Sequence, residues 1–169
     1  MTNQFQTKTF PNHWTMVTGL YEETHGIVAN QFYDPSSHQV KFSKIVEFRT
    51  IFQHFNYTDP SSWNETTSFW GGEPLWITNQ KAGHQSGCEF WVGSEVKDRT
   101  PTHFDRYDSH KPYNDRVDSV VDWLNKPEVN LGLLYIEEPD HTGHMFGPDS
   151  KEVDAKLEEL NNVIGYLMK

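Results

Sequence analysis

The stretch Leu131-Gly132-Leu133-Leu134-Tyr135-Ile136, followed directly by Glu137-Glu138-Pro139-Asp140-His141-Thr142-Gly143-His144, decides the fold. Its first half is a continuous apolar run, the pattern of a strand buried on both faces of a parallel sheet. Upstream, Val117, Val120, Val121 and Leu124 follow helical i, i+3, i+4, i+7 spacing, and Lys126-Pro127 ends that run. Downstream, Val153, Leu157, Leu160, Ile164 and Leu167 mark a long amphipathic helix, with Asp149 and Glu152 as a capping box at its start. Helix, buried strand and helix in succession predict an α/β architecture.

The rest of the chain is read outward from that core. Cys88-Glu89-Phe90-Trp91-Val92, bounded by Gly87 and Gly93, predicts a second strand, with Trp91 in the core. Pro74 to Thr78 begins a further element, and residues 45–74 read as an aromatic, polar loop with turn chemistry at Pro60-Ser61-Ser62. Near the N-terminus, Pro11 suits a first helical turn, with Thr9 just before it. Trp14, Val17, Thr18 and Tyr21 would share one face of that helix, and Gly26-Ile27-Val28-Ala29 would follow as a short strand.

Composition bounds the function. Fourteen basic against twenty-four acidic side chains leave a formal net charge of −10, which argues against a nucleic-acid duplex as partner. A small nucleotide held by metal ions stays compatible, because the metal supplies positive charge locally. Six Trp and eleven Phe in 169 residues exclude a disordered tail, and one cysteine, Cys88, excludes an internal disulfide. No run approaches the ~18 apolar residues of a membrane span, and residues 1–10 carry no apolar signal region. Two sequons, Asn56-Tyr57-Thr58 and Asn64-Glu65-Thr66, suit an extracellular or lumenal glycoprotein.

Chemistry can reside in two places. Ligands of open α/β sheets gather at the carboxyl ends of the strands, where Asp140 and His144 would follow the buried run. Their O and N donors suit zinc, though two donors leave a tetrahedral site unfinished, and a solvated acidic turn gives the same spacing. Thr9 reads either as a helix cap or as a hydroxyl in the positive field of a helix N-terminus, where phosphate binds.

A resemblance separates these alternatives. Thr7-Lys8-Thr9-Phe10-Pro11-Asn12-His13, Val17-Thr18-Gly19-Leu20-Tyr21, His25 to Asn30, and Tyr33-Asp34-Pro35 resemble the nucleotide pyrophosphatase/phosphodiesterase family. So do Pro74 to Thr78, Phe90-Trp91-Val92-Gly93-Ser94, and Glu137-Glu138-Pro139-Asp140 with Gly143-His144 and Gly147-Pro148, all in family order. The resemblance implies an alkaline-phosphatase-like sheet sandwiched by helices, present only in part, and a two-zinc phosphodiesterase acting on nucleotides or related phosphodiesters. Thr9 would be the nucleophile and a zinc ligand, Asn30 a donor to the phosphate, and Asp140 and His144 the ligands of the other zinc. Phe10 and Tyr107 would sandwich the base. Val92 stands where many members have Pro, and Trp14 where many have Tyr. The family's upstream Asp-Gly segment, its Ser-Asp-His-Gly segment and a further His are missing. Residues 1–169 are therefore expected to be an internal piece of one catalytic domain, binding zinc weakly and inactive alone. The competing expectation is a binding or adhesion protein that keeps the fold without a complete metal site.

Overall fold

The computed structural model describes residues 3–40, 50–63 and 67–169, and two compact units emerge from it. One comprises Met1–Thr78 with Val92–Thr100, the other Asn79–Trp91 with Pro101–Lys169.

In the first unit, helix α1 spans Thr9–Thr18 after an extended Lys8 and carries Pro11 in its first turn. Gly19, in the left-handed region at φ 69°, closes it by donating its N–H to the Thr15 carbonyl. The helix buries Pro11, Trp14 and Val17. Tyr21 lies beyond that closure as the N-cap of a short helix α2, Glu22–His25, and is exposed, so it does not share the buried face. The expected strand at Gly26–Ala29 is absent from the fold. Gly26 caps α2 with φ 86°, and the Ile27 N–H is taken by His25 Nδ1 at 3.1 Å rather than by a ladder. The apolar signal was real as burial, since Ile27 is fully enclosed.

Strand β1, Gln31–Val40, pairs antiparallel with β2, Thr50–Asn56, and the register slips between Asp34 and Gln39. The β2 residues, expected as part of a loop, thus supply one strand of a ladder, followed by helix α3, Pro60–Trp63, and a 3-10 turn at Thr67–Phe69. The missed signal is aromatic: Phe32 faces Phe55 across the ladder with rings stacked at 4.9 Å, and Phe55 is fully buried. The sequon at Asn56 ends β2, its Oδ1 accepting from Thr58 N (3.2 Å) and Oγ1 (2.9 Å), whereas Asn64-Glu65-Thr66 lies outside the described residues.

Helix α4, Leu75–Lys81, realises the element expected at Pro74. The first unit's core is a tryptophan cluster in which Trp14 meets Trp70 edge-on at 4.8 Å and Trp76 at 5.8 Å. The indole N–H groups of Trp14 and Trp76 donate to Gly71 O (2.9 Å) and Arg99 O (2.6 Å). Gly93, at φ 86°, lets the chain pass the cluster, because a Cβ there would stand 2.5 Å from Trp14 Cζ3.

The second unit holds a parallel sheet in which β3, Gln85–Glu89, lies between β4, His103–Asp105, and the later strand β5, Val129–Leu134. The strand expected at Cys88–Val92 sits three residues earlier because Phe90 adopts φ 60° and breaks the ladder. Trp91 beyond it is part-buried. Likewise β5 begins two residues before the expected apolar run, though Tyr135 N still donates to Glu89 O at 3.0 Å. Cys88 is buried, and burial pushes its thiol far above the usual range, so it behaves as a core residue. Helix α5, Tyr113–Leu124, turns Val117 and Val120 inward. Helix α6 spans Asp140–Phe146, and α7, Lys151–Leu167, is capped by Ser150, whose Oγ accepts from Val153 N at 3.3 Å. Ser150 therefore takes the role expected of Asp149, one residue nearer the helix.

The end of β3 carries an unusual charge. Glu89 is fully buried, 2.8 Å from Lys111 Nζ, and burial pushes its carboxyl up to about 7 despite that partner. A folded-state value raised from 4.5 to about 7 means that the folded chain binds this proton more tightly than the unfolded one, so stability falls as pH rises across that window. Glu89→Gln should remove this slope, so the wild-type-minus-variant difference in midpoint temperature declines from pH 4.5 to 7. Gly93→Ala should cost about 2–4 kcal/mol in denaturant unfolding, from the left-handed backbone and the clash with Trp14.

Candidate functional site

Thr9 opens α1, but it is not the cap: Lys8 holds that position without any side-chain cap bond. A threonine used only to cap would have its hydroxyl on a backbone N–H of the first turn. No such bond forms. The Thr9 carbonyl accepts from His13 Nδ1 at 2.7 Å, while its Oγ1 meets no hydrogen-bond partner among the described residues. A part-buried hydroxyl at the positive end of a ten-residue helix is thereby left available to an anion.

Asn30 is held against the same helix start. Its Oδ1 accepts the Phe10 backbone N–H at 2.9 Å, using one of the amide donors that a helix N-terminus leaves unpaired. With the oxygen fixed, the Asn30 side-chain NH2 group is the end that points away from that bond as a donor. Phe10 itself is part of an aromatic cluster with Phe55 (5.6 Å), Tyr57 (6.0 Å) and Trp70 (6.1 Å). Phe10 is part-buried against that cluster. Asn12 braces the preceding loop, donating to Gln6 O and accepting from Gln4 N. These three residues, Thr9, Phe10 and Asn30, belong to the first unit.

Asp140, His144 and Tyr107 belong to the second unit. Asp140 and His144 are one helical turn apart on α6, with His144 Nε2 3.5 Å from Asp140 Oδ2. Both are largely exposed, and they line a groove of about 580 Å³ with Pro139, Gly143, Pro148 and Val153. An oxygen and a nitrogen donor on one face, neither committed to packing, fit two positions of a zinc coordination sphere. Among the described residues no third His, Cys, Asp or Glu joins them.

Two anchors hold this segment, and neither was read from the sequence. Arg116, fully buried, grips Glu137 through NH1 at 2.6 Å and NH2 at 3.2 Å. Burial alone would raise the Glu137 carboxyl, but the guanidinium brings it below the usual range. Glu138 then accepts from Thr142 N (3.0 Å) and Oγ1 (2.9 Å), fixing the first turn of α6. The available signal was Glu137-Glu138 directly after an apolar strand, where a carboxylate must find a partner.

Tyr107 lies in the loop between β4 and α5, half-exposed, with its ring edge-on to Phe90 at 5.4 Å and Tyr135 at 6.4 Å. Its exposed half distinguishes it from a core residue. No helix among the described residues is long and apolar enough to cross a membrane.

Comparison with known proteins gives this arrangement a lineage. A family model described as type I phosphodiesterase / nucleotide pyrophosphatase matches residues 1–169. Human ectonucleotide pyrophosphatase/phosphodiesterase family member 5 is 43% identical over 172 residues, covering 100% of this chain and 33% of that protein. A bis(5'-adenosyl)-triphosphatase of Xenopus laevis is 42% identical, covering 98% of this chain and 34% of its own length. Murine ectonucleotide pyrophosphatase/phosphodiesterase 5, solved as an inactive threonine-to-alanine variant in complex with AMP, is 38% identical with a TM-score of 0.84. It is matched over 99% of this chain and 42% of its own. The chain thus spans about a third of the length of the curated relatives it matches. The α/β architecture expected from the apolar run at Leu131 is the one it shares with them, and the chain belongs to the type I phosphodiesterase / nucleotide pyrophosphatase family.

Proposed function

We propose that this chain carries part of the machinery of a zinc-dependent hydrolase that cleaves phosphodiester or pyrophosphate bonds of nucleotides or related phosphodiesters. The observation that carries the reading is the Thr9 hydroxyl, uncommitted to capping at the N-terminus of α1, beside an Asn30 amide locked by Phe10 N–H. That relatives include a bis(5'-adenosyl)-triphosphatase, and an inactive threonine variant solved with AMP, supports a nucleotide as substrate and a threonine in the chemistry.

In this reading Thr9 Oγ1 gives its proton to solvent and attacks phosphorus in line with the leaving oxygen. The bond to the leaving group breaks, and phosphorus, still carrying the nucleoside or other remaining ester group, becomes bonded to Thr9 Oγ1. Water then cleaves that bond, releasing the phosphate monoester and returning the hydroxyl. The helix N-terminus favours the incoming negative charge, and the Asn30 NH2 group donates to a non-bridging oxygen whose charge grows in the transition state. Asp140 and His144 would hold one zinc ion and Thr9 would contribute to a second. Such ions would lower the hydroxyl pKa and neutralise the attacking and leaving oxygens. Phe10 and Tyr107 offer aromatic surface for the base, a contact that tolerates any base. An extracellular or cell-surface setting accords with the sequon at Asn56 and with the venom phosphodiesterase of Naja atra, 39% identical over 170 residues.

A chimera in which residues 1–169 replace the matched segment of the murine relative tests this. It should hydrolyse the p-nitrophenyl ester of a nucleoside monophosphate, lose activity to a chelator and regain it with zinc. In that chimera Thr9→Ala should lower kcat by at least about 10³ and Asn30→Ala by about 10²–10³, with KM little changed. Turnover surviving Thr9→Ala would favour the non-catalytic reading of this segment.

A further inference from the structure

We propose that Lys111 is a positioning residue for base recognition, tethering the Tyr107 loop to the carboxyl ends of two strands. The proposal rests on the reading of Tyr107 as a base-stacking ring.

The geometry is specific. Lys111 Nζ lies 2.8 Å from Glu89 Oε1 at the end of β3 and 2.6 Å from Asp105 Oδ2 at the end of β4. It also donates to Ser119 Oγ on α5 at 2.8 Å, and it stands 5.4 Å from the centroid of the Phe90 ring, against which Tyr107 packs. One ammonium therefore joins both strand ends and the helix that the loop connects. Its backbone is engaged as well: Lys111 N donates to Asp108 O at 3.2 Å, and Lys111 O accepts from the buried Arg116 Nε at 3.0 Å. Residues 106–112 are closed across their base, four residues from the Tyr107 ring.

A structural explanation alone fits poorly. Burying a carboxylate such as Glu89 costs stability unless its pairing is very good, and an apolar pair of the same volume would do as well or better. What the ion pair adds over an apolar contact is direction: two hydrogen bonds and one close ion pair at a single nitrogen fix where the loop leaves the sheet. A half-exposed tyrosine pre-set in one orientation loses less freedom when a base stacks on it. The ligand class is a nucleotide, recognised through the π-face of its base.

The test measures AMP and ribose 5-phosphate affinity of the full 169-residue chain by calorimetry, with circular dichroism to verify folding. Tyr107→Ala should weaken AMP by about tenfold and leave ribose 5-phosphate unchanged. Lys111→Met should weaken AMP by about fivefold, leave ribose 5-phosphate unchanged, and add nothing when Tyr107 is already Ala. Asp105→Asn, at a part-exposed carboxylate that spares the core, should act the same way by about twofold and decides the matter if Lys111→Met fails to fold. Equal AMP affinity, or none, for the wild type and Tyr107→Ala overturns the base-stacking reading, and this proposal with it. An effect of Tyr107→Ala without one of Lys111→Met, or a Lys111 effect that persists in the Tyr107→Ala background or appears equally with ribose 5-phosphate, overturns the tether alone.

Discussion

The hydrogen bond from Phe10 N–H to Asn30 Oδ1, 2.9 Å long, is the contact on which the candidate chemistry depends. It spends a helix-terminal donor on a side chain twenty residues away, so the start of α1 and the approach to β1 are fixed together. The same bond turns the Asn30 amide so that its NH2 group faces away. Thr9 can stay uncapped because this bond and the Lys8 backbone already define the helix start. The cost of leaving a hydroxyl without a partner is small where water can reach it, and the hydroxyl stays in the positive field of the helix start. Trp14 completes the support, since its burial against Trp70 and Trp76 prevents α1 from rotating.

In the second unit, part-buried ion pairs organise the ends of the strands beside an apolar core that includes Val117, Val120 and Leu133. Arg116 and Glu137 fasten the end of β5, after which Glu138 and Thr142 set the first turn of α6. That turn presents Asp140 and His144 on one face, the arrangement a metal ion needs from an i, i+4 pair. Lys111 with Glu89 and Asp105 does the equivalent work one strand over, at the loop that carries Tyr107. Both networks stand at the carboxyl ends of parallel strands, where α/β sheets gather their ligands.

Much of this was legible in the amino-acid sequence where a period or a punctuating residue was strong. The helices around Val117 and Val153, the strand at Leu131 and the helix start at Pro11 all rest on such signals. Boundaries slipped where backbone conformation overrode hydrophobicity, as at Phe90, whose positive φ stops β3, and at Ile27, buried without joining a sheet. The β1–β2 ladder escaped because its residues are polar and aromatic, and cross-strand stacking such as Phe32 on Phe55 depends on a register that no local pattern encodes. The site residues were named from a resemblance. For Thr9, position alone left open a cap or a nucleophile; the structure puts Lys8 at the cap position, which no local pattern encodes.

The Thr9 oxygen is the atom on which the proposed chemistry can be tested. Acid-quenching the chimera during turnover of a nucleotide ester, followed by peptide mass spectrometry, reads it directly. The expected result is one nucleotidyl group on Thr9, acid-stable, appearing with substrate and absent in Thr9→Ala. Continued turnover with Thr9 unmodified, or with the nucleotidyl group on another residue, would contradict the proposal.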